Sequence, residues 1–110
     1  MSFHALEVSI EVVHSLRGPL ERIRSRDRGL YEPMRASASS VVLNLAEGSR
    51  RVGRDRLHLW RVAAGSAEEL RVSLRVAMAW GDVDGPSIEP ALALIDRVLA
   101  MIWRLVHPTR

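Results

Sequence analysis

The stretch NLAEGSRR, Asn44 to Arg51, sets an amide and a carboxylate three residues apart, follows them with a glycine, and ends on two guanidinium groups. Such a set could supply a general acid or base beside a phosphate-binding turn. It could equally be a helix end that needs a stop signal and solvent-loving side chains. The arginines continue downstream. From Arg50 to Arg61, RRVGRDRLHLWR carries five arginines against one aspartate, a local charge of +4 in a chain whose net charge is +3, so all the other residues together sum to −1. Arg50, Arg51, Arg54, Arg56 and Arg61 are therefore candidate phosphate contacts, with His58 and Trp60 placed to assist if exposed. The competing readings are a solvated helix start and an acidic protein partner. Cations at a helix N-terminus oppose its dipole, so some other interaction should favour them there.

Catalysis finds little else to work with. A hydrolytic site at Glu47 needs a second carboxylate or a nucleophile and histidine at matching geometry, and the pattern offers neither nearby. His4, His14, His58 and His107 are scattered, no Glu-x-x-His occurs, and there is no cysteine, so no metal-ligand spacing emerges. EGSRRVGR lacks the Walker spacing and any preceding strand. The expectation is a protein without enzymatic activity, metal or cofactor.

Composition points the same way. One domain over residues 1–110, 47% apolar and 26% charged, suits a single modest core rather than a disordered chain. The absence of cysteine fits a reducing cytoplasm. The N-terminus has neither a basic n-region nor an unbroken apolar core, and no run approaches a membrane span, so the expected location is cytoplasmic. All the cations are arginines. Arginine binds phosphate in bidentate fashion, but Ala, Val, Leu and Gly run high alongside it, which GC-rich coding would also produce.

These residues need elements to position them. Four segments show helical periodicity and none shows sustained strand alternation. Phe3, Leu6, Ile10, Val13, Leu16, Leu20 and Ile23 recur at threes and fours. Gly18-Pro19 predicts a kink or short break near Arg17, and Arg24–Gly29 reads as a connection. A second helix starts around Tyr31 to Pro33, carries Met34, Ala38, Val41 and Leu45, and ends with Gly48 as an αL C-cap. A third, from about Arg54 to Trp80, carries Leu57, Trp60, Ala63, Ala67, Leu70, Leu74 and Ala77, closed by Gly81. A fourth runs from Ser87 as N-cap, with Pro90 in the first turn, to Val106, on Ile88, Leu92, Ile95, Leu99 and Ile102. Helices of this length joined by short connections predict an all-α, antiparallel up-and-down four-helix bundle.

Ser37, Ser40, Asn44 and Glu47 line one face of the second helix beside its apolar stripe. In the third, Gly65 sits mid-helix, where it costs about 1 kcal/mol relative to alanine, among the small residues Ala63, Ala64, Ser66 and Ala67. Asn44 and Glu47 are expected to hydrogen-bond across to the third helix or to a neighbouring subunit, fixing register.

SVVLNLAEGSRR followed by LWRVAAGSAEELRVSLRVAMAWG resembles the four-helix-bundle family encoded in 23S rRNA intervening sequences. The matching positions are Ser40, Asn44, Ala46, Glu47, Gly48, Arg51, Ala63, Gly65, Ser66, Glu69 and Leu70. Departures are Val42, where members often have proline, and Arg56-Leu57-His58, where they have an early aromatic. The resemblance implies a ring-like homopentamer. Through similarity to the accessory variability protein of diversity-generating retroelements, it also implies association with a reverse transcriptase and with RNA or DNA. The combined expectation is a homo-oligomeric bundle binding nucleic-acid backbone as an accessory or scaffold. The alternative is a protein-interaction adaptor that binds no nucleic acid.

Overall fold

Burial follows the i, i+3, i+4 rows of four long helices: α1 (His4–Arg26), α2 (Arg28–Ser49), α3 (Gly53–Trp80) and α4 (Gly85–Val106). The computed structural model describes residues 3–108. The 28 residues of α3, at about 1.5 Å each, account for most of the 45 Å long axis of a particle 22 Å across. α2 packs most closely on α3, α1 packs on α2 and α4, and α3 packs on α4, giving the antiparallel square of an up-and-down bundle.

The core is built from Val8, Val12, Leu16 and Ile23 of α1, Met34, Val41 and Leu45 of α2, Ala63, Ala67, Leu70 and Leu74 of α3, and Ile88, Ile95, Val98 and Ile102 of α4. The stripes of α2 and α3 lie where their periodicity puts them. On α1 the buried row is rotated from the expected one: Ala5, Val8 and Val12 face inward, while Ile10 and Val13 are exposed. This helix carries apolar residues on two adjacent faces, and spacing alone does not choose between them.

The helix boundaries correct four expectations. α1 is not broken at Gly18-Pro19; it runs through a buried Pro19 to Arg26, because Leu16, Leu20 and Ile23 anchor both sides of the missing backbone donor in the core. The predicted connection over Arg24–Gly29 shrinks to Asp27. Its backbone N–H donates to the Ile23 carbonyl at 2.7 Å, and its carboxylate accepts from the Leu30 N–H at 3.0 Å, so one residue ends α1 and caps α2. Arg24 and Arg26 in the last turn of α1 also complement its dipole.

At α4, Asp84 rather than Ser87 is the N-cap, accepting from the Ser87 N–H at 2.9 Å, which puts Pro90 one turn deeper than expected. That hydrogen bond, together with the nearby Arg22 charge, holds the Asp84 carboxyl below its ordinary range. The last turns of α1, with Arg22, and the α3–α4 turn share one end of the bundle. Gly81 has φ 82° and closes α3 in the left-handed conformation, as expected.

Gly48 is the fourth correction. It is a buried helical residue, and α2 ends one residue later, with Arg50 as C-cap in the right-handed region.

Candidate nucleic-acid interface

The reason for glycine at position 48 lies across the turn. A Cβ there would come within 2.6 Å of the Trp60 indole, closer than packed atoms tolerate. Trp60 is buried and donates its indole N–H to the Leu45 carbonyl at 3.3 Å. Phe3 packs against it at 5.6 Å between centroids. The indole thus ties the end of α2 and the start of α1 to the start of α3.

Around this aromatic corner the arginines divide by task. Arg56, a candidate phosphate contact on sequence, folds back onto α2: its Nε donates to the Gly48 carbonyl at 3.2 Å and its terminal nitrogen to the Ser49 carbonyl at 3.1 Å. Its guanidinium also lies 5.3 Å from the Trp60 ring centroid, within cation–π range. It closes the open carbonyls of α2 at the negative end of that dipole. This supplies the compensation that a cation in the first turn of α3 requires. Arg51 donates to Glu47 at 3.0 Å and lies 3.9 Å from Asp55. These pairs are half-exposed or more, worth a few tenths of a kcal/mol at most. Arg50, Arg54 and Arg61 are exposed, and among the described residues they make no ion pair.

The polar stripe of α2 separates into three contacts. Asn44 donates to the Ser40 carbonyl at 2.9 Å and to the Ser40 hydroxyl at 3.0 Å; that hydroxyl accepts from Ser66 on α3 at 2.9 Å. Asn44 therefore reaches α3 through Ser40. Buried Ser37 donates directly to Glu69 of α3 at 2.9 Å, a crossing that the sequence reading left unassigned. Among the described residues Glu47 makes no crossing to α3 and pairs with Arg51 instead. Gly65 is exposed, and nothing lies within 4 Å of where its Cβ would be, so no close approach among the described residues explains it.

Topology makes the α2–α3 turn one end of the bundle, shared with the start of α1 and the end of α4. Within about two turns of this end, Arg50, Arg51, Arg54, Arg56 and Arg61 are joined by Arg104, His4 and His107, against Glu7, Glu11, Glu47 and Asp55. A shallow apolar groove of about 210 Å³ between α1 and α4, lined by Phe3, His4, Ala5, Met101, Arg104 and Leu105, opens at this end. On the other flank of α4, the one that Asp96 turns toward Arg71 of α3, Trp103 is exposed and stacks on His107, with centroids 4.4 Å apart. Local pattern does not mark Arg104, while Trp103 stands visibly outside the apolar row of α4. The other arginine cluster, Arg22, Arg24, Arg26 and Arg28, shares its end with Glu21, Asp27, Asp82 and Asp84 and is neutralised there. Among the described residues the surplus of positive charge lies at the α2–α3 end. Among the described residues no three His, Asp or Glu side chains gather as a metal site, and no helix is long and apolar enough to cross a membrane.

The fold and this end define a small, one-domain four-helix bundle with segregated positive charge. The chain belongs to the family of 23S rRNA-intervening sequence proteins, whose model matches residues 4–104. It is similar in structure to a protein of unknown function from the S23 ribosomal protein family of Bacteroides thetaiotaomicron VPI-5482. That likeness has a TM-score of 0.82 at 13% identity, over 93% of this chain and 97% of that one, and it concerns the fold. No curated protein matches the chain.

Proposed function

We propose that this protein is a non-enzymatic, homo-oligomeric scaffold that binds the RNA or DNA backbone through its basic end. The observation that carries this reading is the placement of exposed Arg50, Arg54 and Arg61, unpaired among the described residues, at the end of the bundle where arginines outnumber carboxylates. Each phosphate neutralised releases counterions, so affinity grows with the number of arginines presented together. In a homopentameric ring of the kind the family resemblance implies, five local +4 stretches would present about twenty positive charges. The same resemblance makes a reverse transcriptase the candidate protein partner. The test is fluorescence anisotropy with mixed-sequence RNA and DNA oligonucleotides at low ionic strength. Binding is expected, and its absence for every oligonucleotide would overturn the reading.

Self-association has its own support in the outer face of α2 and α3. Leu43, Val72 and Trp80 are 65%, 52% and 76% exposed there, and Gly65 leaves an open notch on the same helix. Gly65→Gln improves helix propensity by about 0.5 kcal/mol and meets no atom of its own protomer. It is nevertheless expected to lower the particle mass measured by light scattering. An unchanged mass with a raised melting temperature would remove Gly65 from the interface. The same apolar face supports a second reading, an adaptor that takes another protein there, and the oligonucleotide measurement separates the two.

A further inference from the structure

A patch on the α3–α4 side of the basic end bears on the kind of nucleic acid bound. Trp103 is 61% exposed, which leaves a large aromatic surface open to solvent. His107 stacks on it at 24° between ring planes, and the His107 Nδ1 lies 3.0 Å from the Trp103 carbonyl. The two rings form an aromatic plate at the end of α4.

The register of α3 on α4 locates cations beside that plate. Arg71 donates to Asp96 of α4 at 2.9 Å and, through its other terminal nitrogen, to Glu68. Glu68 therefore lies on the flank of α3 that faces α4. Residues seven apart keep to one flank of a helix, which puts Arg61 and Arg54 on the flank of Glu68, successively nearer the basic end. Along antiparallel α4, seven residues from Asp96 toward the same end is Trp103, opposite Ala64 and one turn from Arg61. Arg104 follows Trp103 directly. Exposed guanidinium groups thus line the way to an exposed ring.

We propose that this patch binds single-stranded nucleic acid, with Trp103 stacking on an unpaired base while Arg54 and Arg61 contact the flanking phosphates. A duplex has its base faces covered by neighbouring pairs and can use only the phosphate contacts. An unpaired strand can use both, as stacking platforms set among cations do. This inference rests on the nucleic-acid reading above and goes beyond it by naming the strand state and the ring that reads it.

The experiment compares binding of a mixed-sequence single strand and of the duplex of the same length, at one salt concentration, for the wild type, Trp103→Ala and Trp103→Phe, with light scattering on each. The wild type is expected to prefer the single strand. Trp103→Ala should weaken single-strand binding roughly five- to hundred-fold, the effect of losing one stacked base. Duplex binding and particle mass should stay unchanged, and Trp103→Phe should retain most of the affinity. Equal loss for both ligands, no loss for either, or a change in mass without selective loss overturns the proposal and leaves the phosphate-binding reading standing. If the wild type binds neither ligand at low salt, both fall.

Discussion

Reversing charge at three exposed positions, Arg50→Glu with Arg54→Glu and Arg61→Glu, is expected to abolish nucleic-acid binding at physiological salt while leaving helix content intact. The magnitude follows from counterion release. Each phosphate contact on a duplex contributes about 0.9 to the slope of log affinity against log salt, which at about 0.15 M is roughly five-fold in affinity per contact. Losing three contacts lowers affinity by roughly 150-fold, and the added carboxylates repel the strand further. In the proposed homo-oligomer each chain would contribute its own set, which would multiply the effect. None of the three side chains is buried or ion-paired among the described residues, so the fold should tolerate the change. The control is Arg24→Glu with Arg26→Glu at the far end of the 45 Å particle. With a screening length of about 8 Å in the cell, it should alter binding less than about three-fold. Anisotropy titrations of the two variants side by side check this, and equal losses would contradict the assignment of the site to one end.

The second large effect concerns the corner that holds the basic turn in shape. Trp60→Ala removes a buried indole, its hydrogen bond to Leu45 and its contacts with Phe3 and Arg56. A loss of about 3–5 kcal/mol is expected, the range for deleting a large aromatic from a core. Gly48→Ala tests the same contact from the other side. Alanine gains about 1 kcal/mol over glycine in a helix interior and less in the last turn, where Gly48 sits, but here the new methyl lands 2.6 Å from the indole. Overpacking of this kind costs about 1–3 kcal/mol, and a rigid, hydrogen-bonded ring has little room to yield, so the net effect should be destabilising. With Trp60→Ala already in place the clash is gone, and Gly48→Ala should become stabilising. Thermal denaturation of the four proteins in this cycle reads the change of sign. A higher melting temperature for Gly48→Ala alone would show that glycine is there for another reason.

This corner marks how far the sequence could be read. The rows of α2 and α3 were legible because each helix has one apolar face bordered by polar residues. The buried face of α1 was not legible, because Leu6, Ile10 and Val13 compete with Ala5, Val8 and Val12 at the same spacing. Gly48 followed by Ser49 and Arg50 looks like a C-cap, since a glycine after an apolar row ordinarily marks a left-handed residue. Its real reason is an indole that approaches from twelve positions further along the chain, a tertiary contact invisible to local pattern. Arg56 was misplaced on the same account. Its charge suggested phosphate, whereas its position beside the last carbonyls of α2 makes it a cap. Asn44 and Glu47 look equivalent on the helix face, yet only Asn44 connects to α3, because Ser40 and Ser66 provide the bridge and Arg51 draws Glu47 to the turn.

Segregation of charge was partly legible. The +4 stretch stands out in the sequence, but neutralisation of the other arginine cluster depends on Asp82 and Asp84, which only the fold brings beside it. Arg104 and Trp103 join the basic end in the same way, from the far terminus of the chain.

The central claim, that the exposed arginines of one end bind nucleic acid through phosphate, is tested most directly by the salt dependence of wild-type affinity. With three or more phosphate contacts per chain, log affinity for a single strand should fall against log salt with a slope of about −2 or steeper, and for a duplex near −3. The Arg50, Arg54 and Arg61 reversal should flatten that slope. A slope close to zero in the wild type would contradict the account.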